Sequence, residues 1–348
     1  MRHAVHNQTP SSPHLEAREQ DVPGSPSAPD PTLAPGLSVV IPVYNSATIL
    51  PELVPKLLAA LADIGRHCEV VLVNDGSRDQ SWYVIEELVL QYGVVRGINL
   101  MRNYGQQSAL LCGIRAVRYD VIVTMDDDMQ HPPEEIPQLL TKLAEGYDVV
   151  YGTPIQEQHG IWRNLASRAT KLALQSAMGA ATARQASAFR AFRTDVRRAF
   201  ANYNSSYVAI DVLLTWGTTL FAAVPVRYAP RRNGVSGYGF KTLVTNAINL
   251  LTGFSVLPLR LASLMGCFFA CFGGLLLCYV VGRFLLQGSV PGFPFLASAI
   301  ALFSGAQLLA LGIIGEYLAR LHFRSMGRPY SVVRTTAGFY TDAQDEQQ

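Results

Sequence analysis

The chain has 348 residues, a formal net charge of +2 and a mean hydropathy of +0.18, and only 16% of its residues are charged. Near neutrality without a long basic block excludes nucleic acid as the main partner. The low charge content indicates membrane segments. The five cysteines cannot all pair within one chain and lack zinc-binding spacing, so a reduced, intracellular soluble part is expected.

Residues 1–35 are rich in Pro, Ser and polar residues and show no apolar period. This composition predicts a disordered N-terminal tail. The tail contains no apolar stretch of the kind that a cleaved secretory signal needs.

From residue 36 to residue 238, apolar strands alternate with segments of helical spacing. This alternation predicts an α/β domain with a mostly parallel sheet and helices on both faces. Three of the strands end in polar residues, at Tyr44–Asn45, Asn74–Asp75 and Asp126–Asp128. Because the carboxyl ends of parallel strands share one edge, these three clusters are expected to meet in one crevice.

The stretch VIVTMDDDMQHPPEEI carries the strongest chemical signal. Asp126 and Asp128 lie two apart, so they project to the same side if the strand geometry continues. Two adjacent carboxylates suit a hard divalent cation. The alternative is a solvated acidic loop before a helix that starts at Pro132–Glu135. The sequence has neither GxGxxG after the first strand nor a Walker A motif, which disfavours the usual dinucleotide and P-loop sites.

Arginines dominate the charges in the next region: Arg163, Arg168, Arg184, Arg190, Arg193, Arg197 and Arg198. They form either a solvated basic helix face or a surface that binds an anionic acceptor or a membrane. Residues 239–260 are predicted to form a juxtamembrane amphipathic helix, with a core helix as the alternative.

Two segments, 261–286 and 293–318, are predicted to be transmembrane helices. Basic residues precede the first span and follow the second, which predicts that the α/β domain and both termini lie in the cytoplasm. Residues 319–348 are then a cytoplasmic C-terminal tail.

In order and spacing, the motifs VIPVYN, VNDGS, MRNYGQQSALLCGI, DDDMQHPPEEIPQLL, EGYDVVYG, PLR and GIIGEYLAR resemble those of family 2 glycosyltransferases of GT-A fold. More narrowly, the protein is similar to the polyprenyl-phosphate glycosyltransferases, a group that includes dolichol-phosphate mannosyltransferases and undecaprenyl-phosphate sugar transferases. The resemblance extends from Leu37 to Val333.

The resemblance implies inverting transfer from a nucleotide sugar, in first place a UDP-sugar, to a polyprenyl phosphate such as undecaprenyl phosphate. It implies a homotetramer in the bacterial inner membrane. It also implies a divalent metal, Mg²⁺ or Mn²⁺, held by Asp128 and Gln130. The implied nucleotide contacts are Pro42, Tyr44, Asn45, Asp75, Asp126 and Asp127.

The implied catalytic set is Asp126, Asp128, Arg163 and Arg190. Arg163 and Ser167 match positions that receive the lipid phosphate. Many members have a small residue in place of the middle acid of the triplet, so its carboxylate is expected to face solvent and to tolerate alanine.

Three positions depart from the commoner family pattern. Pro154 stands where an Arg is common, Arg184 where an Asp is common, and Gly237 where a Lys is common. We hypothesise that Arg184 partly replaces the missing cations around the acceptor phosphate. Two other functions stay open, namely transfer to another membrane glycolipid or polysaccharide, and a non-catalytic membrane scaffold.

Overall fold

The computed structural model describes residues 33–155, 185–205, 207–229, 257–287, 292–327 and 329–339. The predicted acceptor residues Arg163, Ser167 and Arg184 lie outside these ranges, as do Gly237 and the predicted N-terminal tail up to residue 32.

Eight strands form one sheet in the order β7-β5-β6-β4-β1-β2-β3-β8. Their bounds are β1 Ala34–Val43, β2 Cys68–Asn74, β3 Val95–Leu100, β4 Tyr119–Thr124, β5 Val149–Pro154, β6 Arg190–Arg193, β7 Phe221–Val226 and β8 Val333–Ala337. The central strands β4, β1, β2 and β3 are parallel, as are β5 and β7. Strand β6 runs antiparallel to both of its neighbours, and β8 runs antiparallel to β3.

The described α-helices are α1 Leu50–Ala62, α2 Ser81–Gln91, α3 Gln106–Ala116, α4 Ile136–Ala144, α5 Ile210–Gly217, α6 Leu257–Gln287 and α7 Phe293–Ser325. Short 3-10 helices occupy Pro133–Glu135 and Thr194–Phe200. Helices α1, α2 and α4 pack on one face of the sheet, and α3 and α5 pack on the other. The predicted α/β architecture with helices on both faces is therefore confirmed.

Strand β2 shows why the sheet is buried on both faces. Val70 and Leu72 face the α1 side, whereas Val71 and Val73 face the α3 side. Alternate residues of a strand point to opposite faces, so a run of apolar residues fills both cores. Full burial of one such residue stabilises the fold by about 1.5–3 kcal/mol relative to exposure.

Helices α6 and α7 each contain a stretch long and apolar enough to cross a membrane, Pro258–Arg283 and Leu302–His322. In the most apolar 18-residue window of each stretch, no residue is buried inside the structure. Both helices are longer than the spans expected from the sequence, since α6 already begins at Leu257 and α7 continues to Ser325. Residues 257–260, expected to belong to a juxtamembrane helix, are instead the first turn of α6.

The segment beyond α7 is not only a tail. Strand β8 pairs with β3 and forms one edge of the catalytic sheet. The predicted C-terminal tail, residues 319–348, therefore includes the end of α7 and one strand of the sheet. The sequence signal was weak because β8, VRTTA, has almost no apolar alternation and lies exposed on the sheet edge.

An ionic cluster closes the edge of the sheet opposite to the strand ends that carry the acids. Glu69 is fully buried, and its carboxylate accepts hydrogen bonds from Ser38 Oγ (2.8 Å), the Arg118 backbone N–H (2.7 Å) and Arg96 Nη1 (2.5 Å). Burial by itself raises the pKa of Glu69, but these hydrogen bonds and the Arg96 charge outweigh it, so the pKa is lowered overall. The ring of Phe339 covers the Arg96 guanidinium at 3.5 Å.

We predict that Glu69→Gln lowers the melting temperature in detergent by about 5–10 °C, because it leaves the buried Arg96 without its counter-charge. A group with a lowered folded-state pKa stabilises the fold above its unfolded pKa. This stabilisation is lost as the pH falls through the lowered value. The difference in melting temperature between wild type and Glu69→Gln should therefore become smaller as the pH falls below 4.5, the ordinary pKa of a glutamate.

Thermal unfolding followed by tryptophan fluorescence over a pH series measures this difference. Glu52→Gln is the matched control, because Glu52 forms an exposed pair with Lys56 and such pairs contribute little. A difference that stays constant with pH would contradict the assignment.

Candidate active site

A cavity of about 320 Å³ opens at the carboxyl edge of the parallel strands. The polar ends of β1, β2 and β4 all contribute to it, as the strand order predicted. Its lining residues are Pro42, Val43, Tyr44, Asp75, Asn103, Gly105, Gln106, Asp126, Asp127 and Asp128. Of the predicted nucleotide contacts, only Asn45 is not among them.

Asp75 follows β2 and is only 2% exposed. Its two carboxylate oxygens accept the backbone N–H groups of Tyr104 (2.7 Å) and Gly105 (2.8 Å), at the start of α3. Burial raises the pKa of Asp75 above its ordinary value, although these hydrogen bonds and the Arg102 charge oppose the rise. Asp75 thus binds the loop after β3 to the loop after β2, while still lining the cavity.

Gly76 makes this close approach of the two loops possible. Its φ is +63°, in the left-handed region that glycine adopts without strain. A Cβ at this position would clash with the backbone of Arg102 and Asn103. The glycine in VNDGS is therefore required by the close approach of these two loops beside the cavity.

The Asp127 side chain is half-buried and lines the cavity, so it is not a freely solvated carboxylate. Its carboxylate accepts hydrogen bonds from the Tyr44 backbone N–H (3.2 Å) and from Ser46 Oγ. Burial raises its pKa, opposed by these two hydrogen bonds and reinforced by the neighbouring Asp128. Asp127 therefore ties the loop after β4 to the loop after β1.

Asp126 and Asp128 both line the cavity, but not because the strand continues, since β4 ends at Thr124. The chain turns directly after Asp126. In this turn Asp128 Oδ1 accepts the Gln130 backbone N–H (3.1 Å), and Met129, between Asp128 and Gln130, has a φ of +59°. A non-glycine residue in this region costs about 1–2 kcal/mol, and such strain is concentrated at functional sites.

Gln106 was not singled out from the sequence. It is the first residue of α3, and its Nε2 donates to Asp126 Oδ1 (2.5 Å). Gln130, the second predicted metal ligand, is not among the cavity-lining residues, and its backbone carbonyl oxygen accepts the Ala229 N–H. Among the described residues, no group of three or more His, Cys, Asp or Glu side chains is arranged to hold a metal by itself.

A buried aromatic layer supports the acidic turn from behind. The His131 ring stacks on Phe189 and meets Tyr228 edge-on, with ring centroids 5.3 and 4.9 Å apart. Burial lowers the pKa of His131 to about 4, in spite of the nearby Asp128. A neutral imidazole suits this apolar setting and leaves its Nδ1 facing the Asp126 N–H at 3.4 Å.

Arg190, predicted as catalytic, is 1% exposed and does not line the cavity. Its Nη1 pairs with Asp211, at the start of α5, and its Nε donates to Thr124 Oγ1 (3.0 Å). Thr124 is the last residue of β4, immediately before the acidic turn. Arg190 therefore supports the end of β4 just before the acidic turn. Its catalytic role stays a prediction.

Asp211, its partner, was missed because a single acid in an apolar helix gives no signal in sequence. The same holds for Ser46, which pairs with a carboxylate 81 positions away.

A family model described as glycosyl transferase family 2 matches residues 38–201. A Shewanella sediminis protein named undecaprenyl-phosphate 4-deoxy-4-formamido-L-arabinose transferase is 37% identical over 298 residues, which cover 84% of this chain and 90% of that protein. A Klebsiella pneumoniae protein of the same name is 36% identical over 315 residues, covering 89% and 96%.

Among solved structures, glucosyl-3-phosphoglycerate synthase from Mycobacterium tuberculosis, in complex with Mn²⁺ and uridine-diphosphate-glucose, is 16% identical. Its TM-score is 0.46, and the match covers 63% of this chain and 77% of that one. Because over a third of the aligned residues are identical to curated relatives across most of both lengths, this chain belongs to glycosyltransferase family 2, in its GT-A polyprenyl-phosphate glycosyltransferase group.

Proposed function

We propose that this enzyme transfers a sugar from a nucleoside diphosphate sugar, in first place a UDP-sugar, to undecaprenyl phosphate. One observation carries the proposal: the same cavity is lined by Tyr44 and Asp75, the predicted nucleotide contacts, and by the acidic turn. The names of the curated relatives support undecaprenyl phosphate as the acceptor. They also make 4-deoxy-4-formamido-L-arabinose the first donor sugar to test.

Two long apolar helices support a lipid acceptor and a place in the bacterial inner membrane. The segment that follows α7 pairs with the catalytic sheet through β8. The polypeptide therefore enters and leaves the helix pair on the same side. Together with the basic residues that flank the spans, this supports a two-span topology with the catalytic domain and both termini in the cytoplasm. The homotetramer implied by the resemblance belongs to the same proposal.

The acidic turn fits a divalent cation that arrives with substrate. Mg²⁺ is usually bound through one or two carboxylates together with substrate phosphates, and Asp126 and Asp128 both face the cavity. We assign these two carboxylates to Mg²⁺ or Mn²⁺, with Gln130 as a further predicted ligand. When bound, the cation neutralises charge on the diphosphate leaving group.

The protein's own part in the reaction is mainly to position both substrates. A phosphate oxygen of the acceptor attacks the anomeric carbon, and the bond from that carbon to the diphosphate oxygen breaks, which inverts the configuration. A phosphomonoester is largely ionised at neutral pH, since its second pKa is about 6, so a general base contributes little. Arg163, Ser167 and Arg184 remain the predicted contacts of the acceptor phosphate.

Purified full-length protein with undecaprenyl phosphate and a panel of UDP-sugars should release UDP only when the lipid is present. The glycolipid product should carry the inverted anomeric configuration, as measured by NMR. UDP release that does not depend on the lipid would count against the proposal. Transfer only to another glycolipid or polysaccharide would favour that acceptor, and nucleotide binding without turnover would favour a scaffold.

We expect Asp128→Asn to lower the transfer rate by about 100-fold or more, because it weakens electrostatic stabilisation of the leaving group. Chelation with EDTA should abolish transfer in the wild type, and Mg²⁺ or Mn²⁺ should restore it. Glu134→Gln, which removes an exposed carboxylate from the adjacent 3-10 helix, is the control. Full activity of Asp128→Asn in the presence of EDTA would refute the metal assignment.

Asp127→Ala should raise the KM for the donor by about tenfold, since the loop after β1 loses two hydrogen bonds. Asp127→Asn keeps a carbonyl oxygen as acceptor and should recover part of the loss. Steady-state kinetics with each substrate varied separately measure this, and the KM for the lipid should hardly change. An unaltered donor KM in Asp127→Ala would mean that the hydrogen bonds to Asp127 do not shape the donor site.

A further inference from the structure

The segment from Tyr330 to Phe339, which follows the second apolar helix, is fastened to the catalytic domain along its whole length. At one end the Tyr330 ring lies against the Arg115 guanidinium (4.7 Å), and at the other the Phe339 ring covers Arg96. Between them β8 pairs with β3. We call Tyr330–Phe339 the C-terminal clamp.

The clamp forms hydrogen bonds with both backbone groups of Met101, the first residue of the loop after β3. The Met101 backbone N–H donates to the Val332 C=O (2.9 Å), and the Met101 C=O accepts from Arg334 Nη2 (3.2 Å). Met101 itself lies just beyond the end of β3, where the parallel ladder with β2 has stopped. Its backbone position is therefore set by the clamp rather than by the central sheet.

The loop that begins at Met101 builds one wall of the donor cavity. Asn103 and Gly105 line the cavity, and the N–H groups of Tyr104 and Gly105 hold the Asp75 carboxylate. The same loop passes so close to Gly76 that no Cβ fits between them. A shift of Met101 must therefore move this wall, because the other end of the loop is fixed on Asp75.

A second series of hydrogen bonds connects the clamp to the loop after β1, on the other side of the cavity. Thr335 is the β8 partner of Asn99, whose Oδ1 accepts from Asn74 Nδ2 (2.9 Å). Asn74 Oδ1 in turn accepts from Ser77, and Ser77 Oγ accepts the Asn45 backbone N–H (3.0 Å). The loops after β3, β2 and β1 are thus connected to β8 across the carboxyl edge.

We propose that the C-terminal clamp is a positioning element for the donor site, with Arg334 and Val332 acting through Met101. By holding the loop in its binding conformation, the clamp removes an ordering cost that nucleotide binding would otherwise bear. It also couples the membrane helix pair to the donor site, since the clamp begins only a few residues after α7 ends. The proposal rests on the proposed function for the identity of the ligand.

The test compares Arg334→Ala, Arg334→Lys and Thr335→Pro in the full-length protein, with Arg66→Ala as control. Arg66 is an exposed arginine at the opposite edge of the sheet, just before β2. Isothermal titration calorimetry with UDP and Mg²⁺, without lipid, should show that Arg334→Ala binds UDP about threefold to tenfold more weakly than the wild type. This is the effect expected from the loss of one hydrogen bond. Thr335→Pro should lose more, because proline disrupts strand pairing, and Arg334→Lys should recover most of the affinity.

Hydrogen exchange provides a readout that needs no ligand. Peptides that contain Met101–Gly105 should exchange faster in Arg334→Ala than in the wild type and in Arg66→Ala, while the core strands β1 and β2 should be unchanged. The KM for the lipid should stay constant when the donor KM rises.

The outcomes separate the two proposals. If the wild type binds neither UDP nor any other nucleoside diphosphate, the proposed function fails and the clamp has no donor site to position, whereas a loss of affinity confined to the clamp variants supports the clamp. If Arg334→Ala leaves both nucleotide affinity and loop exchange unchanged, the clamp proposal is overturned. Faster loop exchange with unchanged affinity overturns it too, because the clamp would then not act on the donor site.

Discussion

Hydrogen bonds from backbone N–H groups to buried carboxylates hold the active-site edge of this protein together. Beyond the last residue of each strand the ladder stops, and the backbone groups of the following loop need other partners. Asp75 supplies them for the loop after β3, and Asp127 supplies one for the loop after β1. Hydrogen bonds to an ionised acceptor are about twice as strong as neutral ones, so these few contacts fix the cavity walls.

The acids at this edge therefore divide into two roles. All four line the cavity. Asp75 and Asp127 also accept hydrogen bonds that join neighbouring loops, whereas one oxygen of Asp126 is held by Gln106 and one of Asp128 by the adjoining backbone. A cluster of like charges this dense is unfavourable without cations. The buried Arg190 beneath the turn supplies one positive charge, and the divalent cation proposed above would supply more.

The opposite edge and the far end of the sheet depend on sequence-distant partners. Glu69 binds β1, β2 and β3 together where the strands begin, and Phe339 closes this cluster from the C-terminal clamp. The Met101–Arg334 contact joins residues 233 positions apart. Pairings over such separations carry a large loop-closure cost. We therefore expect β8 to dock late in folding, after both long helices are in place.

The alternation of strands and helices up to β5, the two apolar spans and the meeting of three polar strand ends were readable from sequence, whereas strand β6 was not predicted. Each rests on a local pattern: apolar periodicity, composition, or polar residues after an apolar run. The family followed from motifs at fixed spacing for the same reason. A short polar strand such as β8 carries no such pattern, so its place on the sheet edge was not predictable.

Only the tertiary structure decided which hydrogen-bond or ion-pair partner each polar side chain has. From sequence, Arg190 was expected to be a catalytic group and Asp127 a solvent-facing acid. In the structure Arg190 is fully buried and pairs with Asp211, and Asp127 is half-buried and accepts a hydrogen bond from Ser46. Gln106, Ser46 and Asp211 had no sequence signal at all. Such roles depend on which side chain meets which backbone after packing, and a one-dimensional pattern contains only the residues, not their distances.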